Sequence, residues 1–122
     1  FLVAVARRSG CGILLDINNI YVSACNHGFS AESYIDAIPA DLVGEMHLAG
    51  FDHCDDFLID THGKPVHDPV WRLYEYALRH LGPKPTLIEW DADIPALAML
   101  QGEAAKAERL MRREALGRVC AV

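Results

Sequence analysis

The chain has 122 residues, 52% of them hydrophobic and 23% charged, with a formal net charge of −6. That size and balance fit one globular domain with a modest core and exclude a disordered chain. The acidic balance argues against a nucleic-acid partner, which needs a basic surface, and no run of about eighteen apolar residues offers a membrane span.

The chain opens on Phe1 and reads as a piece of something longer. No basic-then-apolar export segment is visible in it, and a cytoplasmic location is expected. Its cysteines are Cys11, Cys25, Cys54 and Cys120, with no Cys-x-x-Cys spacing. A zinc ribbon is therefore not expected, and buried free thiols are.

In chain order, residues 1–10 read as the end of a helix, with Arg7 and Arg8 in its last turn and Gly10 just beyond. Gly12 to Ile17 is an apolar run broken by Asp16, the pattern of a strand buried on both faces. Asn18 to Phe29 reads as a polar loop. Ser30 caps a short helix to Ile38, stopped by Pro39. Leu42 to Leu48 is a second strand, and 51–67 a long connection rich in Asp and His, which usually means function. Asp68-Pro69 opens a helix whose Val70, Leu73, Tyr74, Ala77, Leu78 and Leu81 share one face, with Trp71 also in the core. Gly82 and Pro83 end it. Thr86 to Trp90 is a third strand. A last helix starts at Asp93-Ile94-Pro95 and runs to about Arg113, with Leu97, Leu100, Ala104, Ala107 and Leu110 inward, and the tail from Gly117 frays.

Strands alternating with helices predict an α/β fold with a parallel sheet. A complete (β/α)8 barrel needs about 250 residues, so this chain supplies roughly its C-terminal half. The chemistry of such barrels lies at the C-terminal ends of the strands, and the candidate residues fall there. Asp16 and Asn19 close the first strand, His47 the second and Glu89 the third, while Asp60 and His62 sit in the long connection. Taken singly, Asp16 and Asn19 fit a loop cap, and His47 a hydrogen-bonded core histidine. Taken together, these acids and imidazoles have only Lys64 and Arg72 near them in sequence, too few to neutralise them. A divalent metal resolves that imbalance, and carboxylate with imidazole but no thiolate suits iron, manganese or zinc. His27, beside Gly28, is a further candidate as metal ligand or general acid–base, and Trp90 as a lid.

Leu14-Leu15-Asp16-Ile17-Asn18-Asn19-Ile20-Tyr21-Val22, Asn26-His27-Gly28-Phe29, Met46-His47-Leu48-Ala49-Gly50, Ile59-Asp60-Thr61-His62, Pro65-Val66, Val70-Trp71 and Thr86-Leu87-Ile88-Glu89-Trp90-Asp91 together resemble the multinuclear non-haem iron-dependent oxidative enzymes. That family was long a domain of unknown function and includes the methanobactin biosynthesis oxidase. The likeness runs from about residue 10 to 107 and covers only the C-terminal half of such a protein. It implies a barrel of the xylose isomerase and endonuclease IV type. Asp16, Asn19, His47, Asp60, His62 and Glu89 would be metal-site residues, His27 catalytic, and Asn18 and Trp90 in contact with substrate. It also implies two or three irons, dioxygen as co-substrate, a cysteine-containing, ribosomally made peptide as substrate, and a partner protein that presents it. Membrane and nucleic acid have no part.

Two departures stand out. The upstream histidines and glutamate that complete such a site are not in this chain, and Phe51 stands where many relatives have a histidine. The rival readings are a zinc or manganese hydrolase or isomerase on the same barrel, against which Asn19 and the acidic charge argue, and a non-catalytic metal-binding scaffold.

Overall fold

The computed structural model describes residues 1–119, without the side chain of Val119. Cys120 and the end of the expected frayed tail lie outside them. Helix α1 (Leu2–Ser9) carries Arg7 and Arg8 in its last turn and closes on Gly10. Strand β1 (Ile13–Asp16) passes directly into α2 (Ile17–His27), and α3 (Ala31–Asp36) follows under its Ser30 cap, whose Oγ accepts from Ser33 N at 3.1 Å. Then come β2 (Val43–Leu48), β3 (Asp52–His53), β4 (Leu58–Ile59), α4 (Asp68–Leu81), β5 (Thr86–Ile88) and α5 (Leu97–Val119).

The protein is α/β. β1, β2 and β5 form one parallel sheet in that order, with Asp16 opposite His47 and His47 opposite Leu87. The crossover from β1 to β2 runs through α2 and α3, and that from β2 to β5 through α4. The helices cover one face of the sheet. There Leu15, Met46 and Leu48 pack with Ile17, Ile35, Val70, Tyr74 and Leu78, all essentially inaccessible.

The other face is open, which corrects the expectation of strands buried on both sides. Burial alternates along β1, and Leu14 and Leu87 are 53% and 46% exposed. Asp16, Glu45, His47 and Glu89 fall at the same alternate positions as Leu14 and Leu87. The apolar runs reflect a sheet whose second face has no cover among the described residues.

Local departures have local causes. The expected loop over 18–29 is helix α2, because Asp16 is its N-cap: Asp16 Oδ1 accepts from Asn19 N at 2.9 Å. Ile17, Ile20 and Ala24 then bury at helical spacing, while Asn18, Asn19 and Asn26 are weak helix formers that hid the pattern. The cap of α4 is His67, one residue before Asp68, and it makes no side-chain bond. The connection 51–67 holds the antiparallel hairpin β3–β4, too short for a periodic signal. In α5, Ala107 is buried, but Leu97 and Ala104 face solvent. This helix continues to Val119, where Arg118 donates to Leu78 O at 3.2 Å and to Arg79 O at 2.6 Å. Cys11, Cys25 and Cys54 are free thiols, but exposed, not buried. Among the described residues no helix is long and apolar enough to cross a membrane.

Candidate metal centre

At the C-terminal end of the sheet, each strand delivers one ligand-type side chain. Asp16 ends β1, His47 is the penultimate residue of β2, and Glu89 follows β5. The segment after β4 adds Asp60 and His62. It is anchored by its backbone, with His62 N donating to Gly50 O at 3.1 Å and Asp91 N donating to His62 O at 2.8 Å. His62 has φ of +50°, a conformation rare outside glycine but several-fold enriched in histidine.

These side chains converge. His62 Nε2 lies 2.9 Å from Asp60 Oδ1 and 3.7 Å from Asp16 Oδ2, and His62 Nδ1 lies 3.4 Å from Glu89 Oε2. His47 Nδ1 is 2.8 Å from the same Glu89 oxygen. Both imidazoles are largely sheltered, with side chains 12% exposed. Asp16 with Asp60 and His62, Asp16 with His47 and Glu89, and His62 with Glu89 and Asp91 each place their donor atoms within 4.8 Å of one another.

The electrostatics are one-sided. Lys64 pairs with Asp52 and Asp93, and among the described residues the cluster's ion-pair contacts are only with its own histidines. Burial raises the Asp16 carboxyl above its usual range; the Asn19 N–H opposes that, and Asp60 and Glu89 add to it. Burial alone would lower the His62 pKa, but Asp60, Asp16, Glu89 and Asp91 outweigh it and hold the imidazole above its ordinary value. Both ring nitrogens of His62 are buried with no aligned hydrogen-bond partner, although carboxylate oxygens surround them. Crowded acceptors and a buried imidazole without a bond, with no Lys or Arg paired to them among the described residues, form a donor set suited to a divalent cation. The residues fit a metal.

The sequence-predicted residues divide into two groups. Asp16, His47, Asp60, His62 and Glu89 come together, and Asn19 stands beside them, its Nδ2 donating to Asp60 Oδ2 at 3.0 Å. Asn18 is fully buried. Its Nδ2 donates to Asp60 Oδ1 and to Gly50 O, so it braces the Asp60 carboxylate from behind. Trp90, part-buried between Glu89 and Asp91, has an indole N–H without an acceptor. His27 is not brought in. It is the exposed last residue of α2, and a helix of that length rises about 16 Å from its cap.

Two acids were not singled out as ligands. Glu45 Oε1 lies 3.4 Å from His47 Nε2, and Asp91 Oδ2 lies 3.3 Å from His62 Nδ1. Each stands two residues from a candidate ligand on the same strand or its extension, and the two-residue period of a strand was the signal available. Phe51 is buried, stacked on His67 at 4.0 Å and Tyr21 at 5.5 Å. It belongs to an aromatic wall, not to the metal-ligand groups.

The model of the family described as "RiPP precursor modification enzyme MbnB/TglH/ChrH" matches residues 1–112. The chain belongs to that family. It is 51% identical over 111 residues to a UPF0276 protein of Chromobacterium violaceum, covering 91% of this chain and 40% of the relative. It is 58% identical over 103 residues to one from Rhizorhabdus wittichii, covering 84% and 37%. A third, from Acaryochloris marina, is 54% identical over 108 residues, covering 88% and 39%. The chain thus spans about two fifths of the length of these curated relatives.

Proposed function

We propose that the full-length protein uses two or three irons and dioxygen to oxidise cysteine residues of a ribosomally made peptide. In this reading the chain is the C-terminal half of a (β/α)8 barrel. A partner protein presents the peptide, and the work is done in the cytoplasm, where the exposed thiols of Cys11, Cys25 and Cys54 would stay reduced. Membership of a family that modifies ribosomal peptide precursors supports the substrate class. The observation that carries the metal is the cluster itself: Asp16, His47, Asp60, His62 and Glu89 at strand ends, with His62 buried among carboxylates and left without a bond.

Asp16, Asp60 and His62 would hold one ion, and His47 and Glu89 with Asp16 a second; Asn19 supports Asp60. Iron bound there would supply the electrons and the Lewis acidity that dioxygen activation and thiolate binding require. The chain's own part is to fix the donors and keep them dry. Asn18 and Asn19 clamp both oxygens of Asp60, and the open sheet face leaves room for the remaining half of the barrel. The unpaired indole N–H of Trp90 is offered to a peptide carbonyl. His27 is given no step, since α2 carries it away from the ligands.

Metal analysis with Mössbauer spectroscopy on anaerobically purified full-length protein is the decisive experiment. Two or three irons per chain, lost in Asp60→Ala or Glu89→Ala, together with oxygen uptake on adding a cysteine peptide, are expected. Zinc as the native metal, or no oxygen uptake with any cysteine peptide, would overturn the reading.

A further inference from the structure

His62 stands between two acidic walls, and Asp91 forms one of them twice over. The Asp91 N–H donates to the His62 carbonyl at 2.8 Å, and Asp91 Oδ2 lies 3.3 Å from His62 Nδ1. Across the ring, Nε2 faces Asp60 Oδ1 at 2.9 Å and Asp16 Oδ2 at 3.7 Å. A neutral imidazole gives a cation one lone pair and keeps its proton on the other nitrogen. The Asp60 side is the braced one, since both carboxylate oxygens are held by Asn18 and Asn19. Glu89 also approaches Nδ1, at 3.4 Å, but it lies closer to His47 Nδ1, at 2.8 Å. That leaves Nδ1 facing Asp91, whose carboxylate is within reach at 3.3 Å without an aligned hydrogen bond as the ring stands.

We infer that Asp91 is a positioning residue that accepts the N–H of His62 Nδ1, fixing the tautomer that turns Nε2 toward the metal shared with Asp16 and Asp60. Carboxylates behind ligand histidines do this in metal sites generally. The backbone bond also holds the His62 peptide in its positive-φ conformation, so one residue sets both the place and the protonation pattern of the ring. This assignment rests on the metal reading above.

The test is titration of metal-free full-length protein with zinc, a diamagnetic probe, read by calorimetry and by ¹⁵N-histidine NMR. In the wild type, His62 should bind zinc through Nε2 and carry a proton on Nδ1. In Asp91→Ala the number of zinc ions at saturation should stay the same, affinity should fall roughly 10- to 100-fold, and the metal-free ring should become a mixture of tautomers. Asp91→Asn, which keeps an acceptor oxygen and the backbone bond, should recover most of the affinity. Loss of a whole zinc equivalent in Asp91→Ala would make Asp91 a direct ligand and overturn the inference. Unchanged affinity and tautomer, or zinc on Nδ1, would overturn it too. Failure of the metal reading looks different: wild-type protein that binds neither zinc nor ferrous iron removes both.

Discussion

The two faces of the β1–β2–β5 sheet are built from the same few residues by opposite rules. On the helix-covered face Leu15, Met46 and Leu48 are at most 2% exposed and are held by packing alone. On the open face Asp16, His47 and Glu89 stand at alternate positions, held by hydrogen bonds and mutual electrostatics. One side spends its contacts on stability and the other stores unresolved charge. In a strand the two are separable residue by residue, because neighbouring side chains point opposite ways.

That separation can be broken from either side. Met46→Ala, on the covered face, should cost about 2–5 kcal/mol, read as a drop in the urea midpoint, while the folded fraction keeps its metal stoichiometry. Asn18→Ala crosses the divide. It leaves Asp60 without its buried donor and should cost about 1–3 kcal/mol, with metal affinity falling about 10- to 100-fold.

The pH dependence should invert with metal. In chelated protein, raised His62 binds its proton more tightly folded than unfolded. Its contribution is therefore full below 6.5, the ordinary histidine value, and is lost as pH rises through the higher folded value. Asp16, raised above 3.8, pushes the same way, because the fold prefers its neutral form. Chelated protein should thus lose stability as pH climbs from mildly acidic to neutral. Loaded protein should gain it, since protons compete with metal for the same atoms. Thermal melts at three pH values, with and without chelator, check this, and parallel slopes would refute it. The smallest effect belongs to the open face: Leu14→Thr should move stability by no more than about 0.5 kcal/mol in this chain.

Much of this was legible in the sequence. The covered face wrote itself in apolar spacing, so α4 and the three strands of the sheet were readable to within two residues. The convergence of Asp16, His47 and Glu89 was readable because each closes an apolar run, and a chemically matched set at the ends of parallel strands is an unusual pattern. Helix α2 was hidden because its signal is a side-chain cap by Asp16, a residue already read as a candidate ligand. The bond from Asn18 to Asp60 was not readable, because a partner 42 positions away is set by tertiary folding and leaves no local trace. The exposed cysteines were misread because burial statistics describe typical thiols, not these.

Gly50 shows where this design has no slack. Its carbonyl receives both His62 N and Asn18 Nδ2, and a Cβ at this position would fall closer than 3.0 Å to backbone atoms of Lys64 and Pro65. Backbone cannot swing aside as a long side chain can. In a library of every substitution at every position, the row for residue 50 should therefore be the barest, with alanine failing as surely as tryptophan. A site made of acids and imidazoles would then pivot on a residue that contributes no side chain at all.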